Sequence, residues 1–419
     1  MKKILMFLVA VATFSTTVSA QADSVTLSAG SQNMVFYNLQ NGTKTVTSNT
    51  DWHLAFSVRP QVFPTNTLQS TTIRTNEANG VAIYEIPGFT ADSFSLTIDT
   101  AGFQSWKRVY DADSVLDEGA MNSGKNIQVF DYGWGVYSSA PNYNVEGKKV
   151  YLIILPNGNF KKFKVDALVR DTAWVFRYAD LDNSNLQVQN ISKKSYPGKN
   201  FFYFNLLNNQ VIDKEPLSSQ WDILFTKYNT FDVLPDTTVS VTGVLLNKSR
   251  TAYERSSVEV GDNNYSGGTF SPMMNTIGWD WKTLNQFTFL YDMTDSLSYF
   301  VQTNSGVYKI FFTKFEGSST GKIVFNVESF GITRINEIAP QPKLTLYPNP
   351  TKGAIQLAYN SNNLINNVVI FNVNGALVAS WQDVNPNTTI DLSQLENGLY
   401  FIQISTNEGT QTQKLLLQR

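Results

Sequence analysis

The chain has 419 residues, with 34 acidic and 32 basic side chains, one histidine and no cysteine. A near-neutral balance without any Lys/Arg cluster argues against a nucleic-acid or anionic-membrane partner, and the lack of cysteine excludes disulfides and thiol chemistry. Apolar cores alone must hold such a chain, and at this length more than one core is expected.

Residues 1–20, MKKILMFLVAVATFSTTVSA, carry Lys2 and Lys3, an apolar run from Ile4 to Phe14, and a small-residue end at Val18-Ser19-Ala20. This is the pattern of a secretory signal peptide, with cleavage expected after Ala20. The run is shorter than the roughly 20 apolar residues that cross a bilayer, and no other segment approaches that length, so no transmembrane segment is expected. Abundant aromatics with Val, Ile and Thr, broken by Asn/Gly/Asp/Ser turns, predict an all-β protein.

Two stretches carry the organisation. NTDWHLAFS (49–57) recurs as SSQWDILFT (218–226): Trp52 matches Trp221, Leu54 matches Ile223 and Phe56 matches Phe225. Period-two alternation puts Trp221, Ile223 and Phe225 on one face of a strand. Upstream, VFYNLQNG (35–42) parallels FFYFNLLNNQ (201–210), aligning Asn38-Leu39 with Asn205-Leu206. Downstream, Ala82 falls opposite Ala252, Gly133-Trp134 opposite Gly278-Trp279, and hairpin 149–165 opposite 297–313, with Asn157-Gly158 and Ser305-Gly306 at the tight turns. The first copy differs mainly by a longer connection between Pro87-Gly88 and Tyr132. A period this long is too great for a solenoid or propeller blade, so two complete tandem antiparallel β domains are expected, over 21–184 and 185–332.

A polar, proline-containing linker follows at 333–343. Beyond it, residues 344–419 read as short strands with turns at about ten-residue intervals, the pattern of a small Ig-like β-sandwich. This block resembles the type A sorting domain of type IX secretion cargo of Bacteroidetes. The resemblance is carried by Tyr347-Pro348-Asn349-Pro350, Gly353, the segment around Asn374-Gly375, Gly398 and Tyr400, and Lys414 in the final KLLLQR. It implies recognition by the outer-membrane translocon, removal by a sorting peptidase, and a destination outside the cell or on its surface.

The repeats resemble the HmuY-like family of Bacteroidetes, named for a haem-binding secreted protein. WDILF (221–225) is similar to the family's Trp-Asp strand, and GVYKIFFTKFEGSSTGKIVFNVESF (306–330) to its closing hairpin. The resemblance covers about 24–332 and implies haem held by paired axial histidines or methionines.

A single histidine excludes a bis-histidine site. His53 stands where the second copy has Asp222, and its plainer reading is a partly solvated strand residue bonded to neighbours. Met273 and Met274, in TFSPMMNTIGW beside Trp279 and Trp281, are the haem candidates, because thioethers ligate haem iron; methionine more often fills apolar gaps. Met121 is a weaker candidate, expected to be exposed. The aspartates of DADSVLDEG (111–119) and DLDNSN (180–185) have calcium-like spacing but read more simply as solvated turns, the second lacking the glycine and acidic residue of an EF-hand loop. No Gly-x-Ser-x-Gly elbow or phosphate loop is present, and metal ligands and catalytic residues are not assigned.

The expected function is an exported, non-enzymatic surface or extracellular protein that binds an unknown small molecule, glycan or protein. The alternative is a haem carrier for iron acquisition, and a weaker one is a secreted hydrolase built on a carboxylate pair.

Overall fold

The structure, a computed structural model, describes residues 21–62, 68–126, 130–139, 141–231, 233, 237–256, 259–330, 345–358, 365–372, 377–385, 387–406 and 409–419. The expected signal peptide (1–20), the expected linker (333–343) and the Asn374-Gly375 segment lie outside these residues. The protein is all-β, and the described residues form antiparallel sheets with no helix of seven residues or more. It divides into two compact units, Met1–Ile332 and Thr333–Arg419.

The first unit opens with β1 (Gln21–Thr26), β2 (Asn33–Tyr37) and β3 (Lys44–Ser48). There follow β4 (Leu54–Ser57), β5 (Ile73–Thr75), β6 (Ala82–Glu85), β7 (Arg108–Val109), β8 (Gly135–Tyr137), β9 (Val145–Gly147), β10 (Tyr151–Ile154), β11 (Phe160–Val169) and β12 (Ala173–Ala179). The second copy supplies β13 (Gln187–Ser192), β14 (Phe201–Asn205), β15 (Gln210–Ile212), β16 (Ile223–Thr230), β17 (Val239–Leu246) and β18 (Thr251–Arg255). It ends with β19 (Lys282–Leu284), β20 (Tyr291–Met293), β21 (Ser298–Thr303), β22 (Gly306–Phe315) and β23 (Lys322–Phe330).

The two copies form the same pair of sheets. One sheet runs β13-β12-β11-β10-β6 and its counterpart β1-β23-β22-β21-β18; the smaller sheets run β15-β14-β4-β5 and β3-β2-β16-β17. Gly133 (φ +90°) and Gly278 (φ +63°) hold the same left-handed turn in both copies, a conformation that costs glycine little. The expected boundary at 184/185 is not where the cores part. β14 of the second copy pairs with β4 of the first, Phe202 opposite Phe56, while β2 of the first pairs with β16 of the second, Phe36 opposite Leu224. One core accordingly gathers residues from Leu54 to Leu206, and the other combines Val25–Leu39 with Ile223–Phe325. The first three strands of each copy complete the other copy's sandwich, so the first sandwich is in effect inserted between β3 and β16.

This exchange explains why NMVFY and FFYFN are apolar almost throughout. Val35 and Tyr37 face the second core, while Met34 and Phe36 face a seam where the two small sheets meet. A strand buried on both faces shows a continuous apolar run rather than alternation. The seam also holds Ala55, Phe201, Tyr203 and Trp221, with Trp52 and Leu224 packed against them. Trp221 therefore does not share a face with Ile223 and Phe225, as alternation predicted. It precedes the strand and turns away from the core that those two residues fill.

A buried lysine sits in the same register of each large sheet. Leu152 pairs with Lys162 and Phe300 with Lys309, and neither lysine is exposed. Lys162 Nζ donates to Leu96 O (2.9 Å) and to Asn183 Oδ1, and Lys309 Nζ to Val260 O, Asp262 O (3.1 Å) and Asn263 Oδ1 (2.8 Å). Each ammonium ties a long loop to its sheet, since a buried charge must find such partners.

In the second unit β24 (Thr345–Tyr347), β25 (Ala354–Ala358), β26 (Ile365–Asn372), β27 (Leu377–Val384), β28 (Thr389–Asp391), β29 (Gly398–Thr406) and β30 (Gly409–Leu417) form two sheets, β24-β25-β28 and β27-β26-β29-β30. They share one core containing Leu346, Ile355, Val368, Ile370, Ile402 and Leu415.

Two outcomes follow from the exchange. Residues 49–214 expressed alone contain every strand around the first core and are expected to unfold cooperatively with heat, whereas 21–184 lacks β14 and is expected to stay unfolded. Trp221→Ala is expected to cost about 3–5 kcal/mol in urea unfolding, since it removes a large side chain from the seam.

Candidate functional site

At the seam each small sheet is closed by the same latch. Leu206 N–H donates to His53 Nδ1 (2.9 Å), and Leu39 N–H donates to Asp222 Oδ2 (2.8 Å). Asn205 Nδ2 reaches Asp51 O (2.7 Å) while Asn38 Nδ2 reaches Gln220 O (3.1 Å). Asn76 Nδ2 donates to the carbonyls of Asn49 and Trp52, and Asn247 Nδ2 to those of Ser218 and Trp221. His53 and Asp222 are thus alternative acceptors for one backbone N–H. His53 is 2% exposed, not partly solvated. Burial lowers its pKa to about 4 against the pull of Asp51, so it is neutral, as an acceptor nitrogen must be.

The matched tryptophans share an environment but not a partner. Trp52 packs edge-on against Tyr203 and Trp221 against Phe36, each with ring centroids 5.0 Å apart. Trp52 Nε1 donates to Asn49 Oδ1 (3.1 Å). Ser218 occupies the position of Asn49, and the buried Trp221 Nε1 has no hydrogen-bond partner.

Beside these residues lies a cavity of about 120 Å³. Phe36, Trp52, Phe201, Tyr203, Trp221 and Tyr228 contribute aromatic surface, and Met34, Ala55, Leu224 and Met274 aliphatic surface. Its polar side carries Glu77, Asp111 and Asp113 with Arg74 and Lys227. Glu77 Oε1 accepts Asp111 N–H (2.7 Å), and Asp111 accepts from Thr75 N (2.9 Å) and Ala120 N (2.6 Å). Arg74 turns its guanidinium to the carbonyls of Ala112, Val115 and Leu116, 2.8–3.2 Å away. Burial, with Asp111 close by, pushes Glu77 up to about 8. Burial likewise raises Asp111 against the pull of Arg74, and pushes Glu215, also in the lining, up to about 7.

The sequence candidates fall as follows. Met274 is buried and lines this cavity, with its N–H on Ser114 O (2.8 Å), while Met273 is 49% exposed. Trp281 is closed inside the second core, stacked on Phe312 at 4.1 Å, and offers no free face. These residues do not fit haem: one thioether faces solvent, and the other a space well below the roughly 300–1,000 Å³ of sites for drug-sized ligands. Met121 is not exposed but fully buried in the first core. The aspartates of 111–119 are not solvated turns, since Asp111 lines the cavity and Asp117 is buried against Arg59 and Lys248. Asp180 and Asp182 do form a turn closed by Ser184 and Asn185. Among the described residues no group of three or more His, Asp or Glu is arranged to hold a metal ion.

In the C-terminal unit, Asn349 clamps the last strand: its Nδ2 donates to Lys414 O (2.6 Å) and its Oδ1 accepts Leu416 N–H (2.9 Å). Tyr347 is 46% exposed and precedes Pro348, and Pro350 follows Asn349. Gly353 O accepts Leu392 N–H (2.7 Å), Gly398 opens β29, and Tyr400 Oη donates to Glu396 O (2.9 Å).

Residues 345–418 match the family model for the secretion system C-terminal sorting domain. The tail indicates secretion through the type IX system, to the cell surface or beyond it, and implies interaction with that machinery. No curated protein matches the chain. Among solved structures, dimeric latent PorU from Porphyromonas gingivalis is found at 10% identity, covering 94% of this chain and 34% of that one, with a TM-score of 0.16. The chain spans about a third of that protein's length, and at this score nothing about the fold follows. The HmuY-like resemblance of the repeats rests on their sequence motifs alone.

The latch carries a pH signature. His53 is held at about 4 in the fold against 6.5 ordinarily, so its contribution is complete above about pH 6.5 and is lost as pH falls through about 4. His53→Asn keeps an acceptor without a titrating proton. Between pH 7 and pH 4 the stability difference from wild type, read by urea unfolding, is expected to move against wild type by about 2–3 kcal/mol. A difference that stays constant across this range contradicts the assignment.

Proposed function

We propose that this chain is an exported, non-enzymatic ligand-binding protein of the cell surface or medium, and that it binds a small molecule in the cavity at the seam. The observation that carries this reading is the convergence on one space of six aromatic side chains and of carboxylates raised by burial. Perturbed acids in an aromatic-walled hollow are a common signature of binding sites. The signal-peptide pattern at 1–20 supports passage through the periplasm on the way. The haem-carrier reading draws no support from the methionine pair. A hydrolase reading draws little, because Glu77 and Asp111 are tied to backbone donors in a space too small for a saccharide chain.

Native mass spectrometry of protein recovered outside its own cells is expected to show a small bound molecule that Ala55→Phe, which fills the cavity, removes. An unchanged adduct in that variant would place the ligand elsewhere. For export, removing Lys414–Arg419 is expected to leave the protein in the periplasm, and Asn349→Ala, which loses only the clamp, to reduce surface delivery. Normal delivery of both variants contradicts the sorting role of these residues.

A further inference from the structure

We infer that the ligand of the seam cavity is a small organic ammonium ion, held by the aromatic walls and by the carboxylates of Glu77 and Asp111. This rests on the binding reading above and adds the chemical class. Aromatic faces present negative potential, and cages of Trp, Tyr and Phe select ammonium groups over neutral groups of the same shape. Here Trp52 and Trp221 come from matched positions of the two copies, with Tyr203 and Phe36 edge-on to them. The space of about 120 Å³ suits a molecule of a handful of non-hydrogen atoms.

Acidic side chains outnumber basic ones in the lining: Glu77, Asp111, Asp113 and Glu215 against Arg74 and Lys227. Glu77 stands at the position where the second copy has Lys248, which instead pairs with Asp117 away from this cavity. Of the cations that line it, Arg74 is engaged by three carbonyls and by Asp111 (Nε to Oδ2, 3.6 Å), and Lys227 is half-buried, leaving Glu77 without a cation partner among the described residues. Glu77 Oε2 has only a long contact, with Asn229 Nδ2 at 3.5 Å. Trp221 Nε1 and Thr75 Oγ1, both on buried cavity-lining residues, have no protein partners, so a hydroxyl on the ligand would find groups to bond. Burial, with Asp111 beside it, raises Glu77 to about 8 against the pull of Arg108 and Arg74, with Asp113 and Lys227 also in the lining, and an entering cation favours its ionised form. Binding should therefore release a proton.

The test uses the full chain and two probes of the same shape, choline and 3,3-dimethylbutan-1-ol, in which carbon replaces the quaternary nitrogen. Isothermal titration at pH 7, in two buffers of different ionisation heat, is expected to show choline at least tenfold tighter than the alcohol, with buffer-dependent heat. Glu77→Gln copies the protonated acid and should fold normally. It is expected to weaken choline at least tenfold, to abolish the buffer dependence and to leave the alcohol unchanged. Equal affinities for the two probes overturn the ammonium assignment while keeping the cavity as a binding site. Binding of choline that Ala55→Phe does not affect, or no binding of either probe at millimolar concentration, overturns both.

Discussion

One backbone N–H in each copy, that of Leu39 or Leu206, finds its acceptor on a side chain of the other copy, and the architecture of the first unit hangs on that exchange. A buried N–H left without a partner costs about 1–3 kcal/mol, so the acceptor at this position is obligatory even though its identity is not. A neutral imidazole serves in one latch, and a carboxylate paired with Arg250 (2.7 Å) in the other. The two choices leave the strand geometry alike. Each latch closes one small sheet across the two copies, and the two sheets meet through contacts such as Asn49 Nδ2 to Thr226 Oγ1 (3.1 Å) and Asn200 Nδ2 to Asn247 Oδ1 (2.9 Å); the seam and its cavity exist only because those sheets meet.

Much of the fold was legible because duplication writes the same instructions twice. Asn38 and Asn205, Ala82 and Ala252, and the two tryptophans mark equivalent positions in the sequence itself. The partnership was not legible. Alternation says which residues share a face, but it does not say which copy supplies the neighbouring strand. The continuous apolar runs NMVFY and FFYFN were the available sign, since only strands buried on both faces are written that way.

The site was less legible than the fold. Methionines drew attention through the chemistry of haem, yet Met273 is exposed and Met274 contributes a wall. Glu77 and Asp111 lie far apart in the sequence, and Asp111 sits in a segment that reads as a solvated turn; the long connection after Pro87-Gly88 brings Asp111, Asp113 and Leu116 to the seam. The usable signal was a broken match, not a conserved one. Asn49 against Ser218 leaves one indole unpaired, and Glu77 against Lys248 makes the charge uneven. Where two copies of a scaffold diverge at a shared surface, function has room to enter.

The pairing of β1 with β23 sets Gln21 opposite Val327 and Ala22 opposite Asn326, so one of the first strands waits for one of the last. The inserted sandwich closes over shorter separations, from β4 to β15. Loop closure over such different spans orders assembly in time: the inner sandwich can form first, and the outer one only when nearly all of the unit is present. Until then β1, β2 and β3 offer unpaired edges. The seam cavity, needing both halves, is completed last.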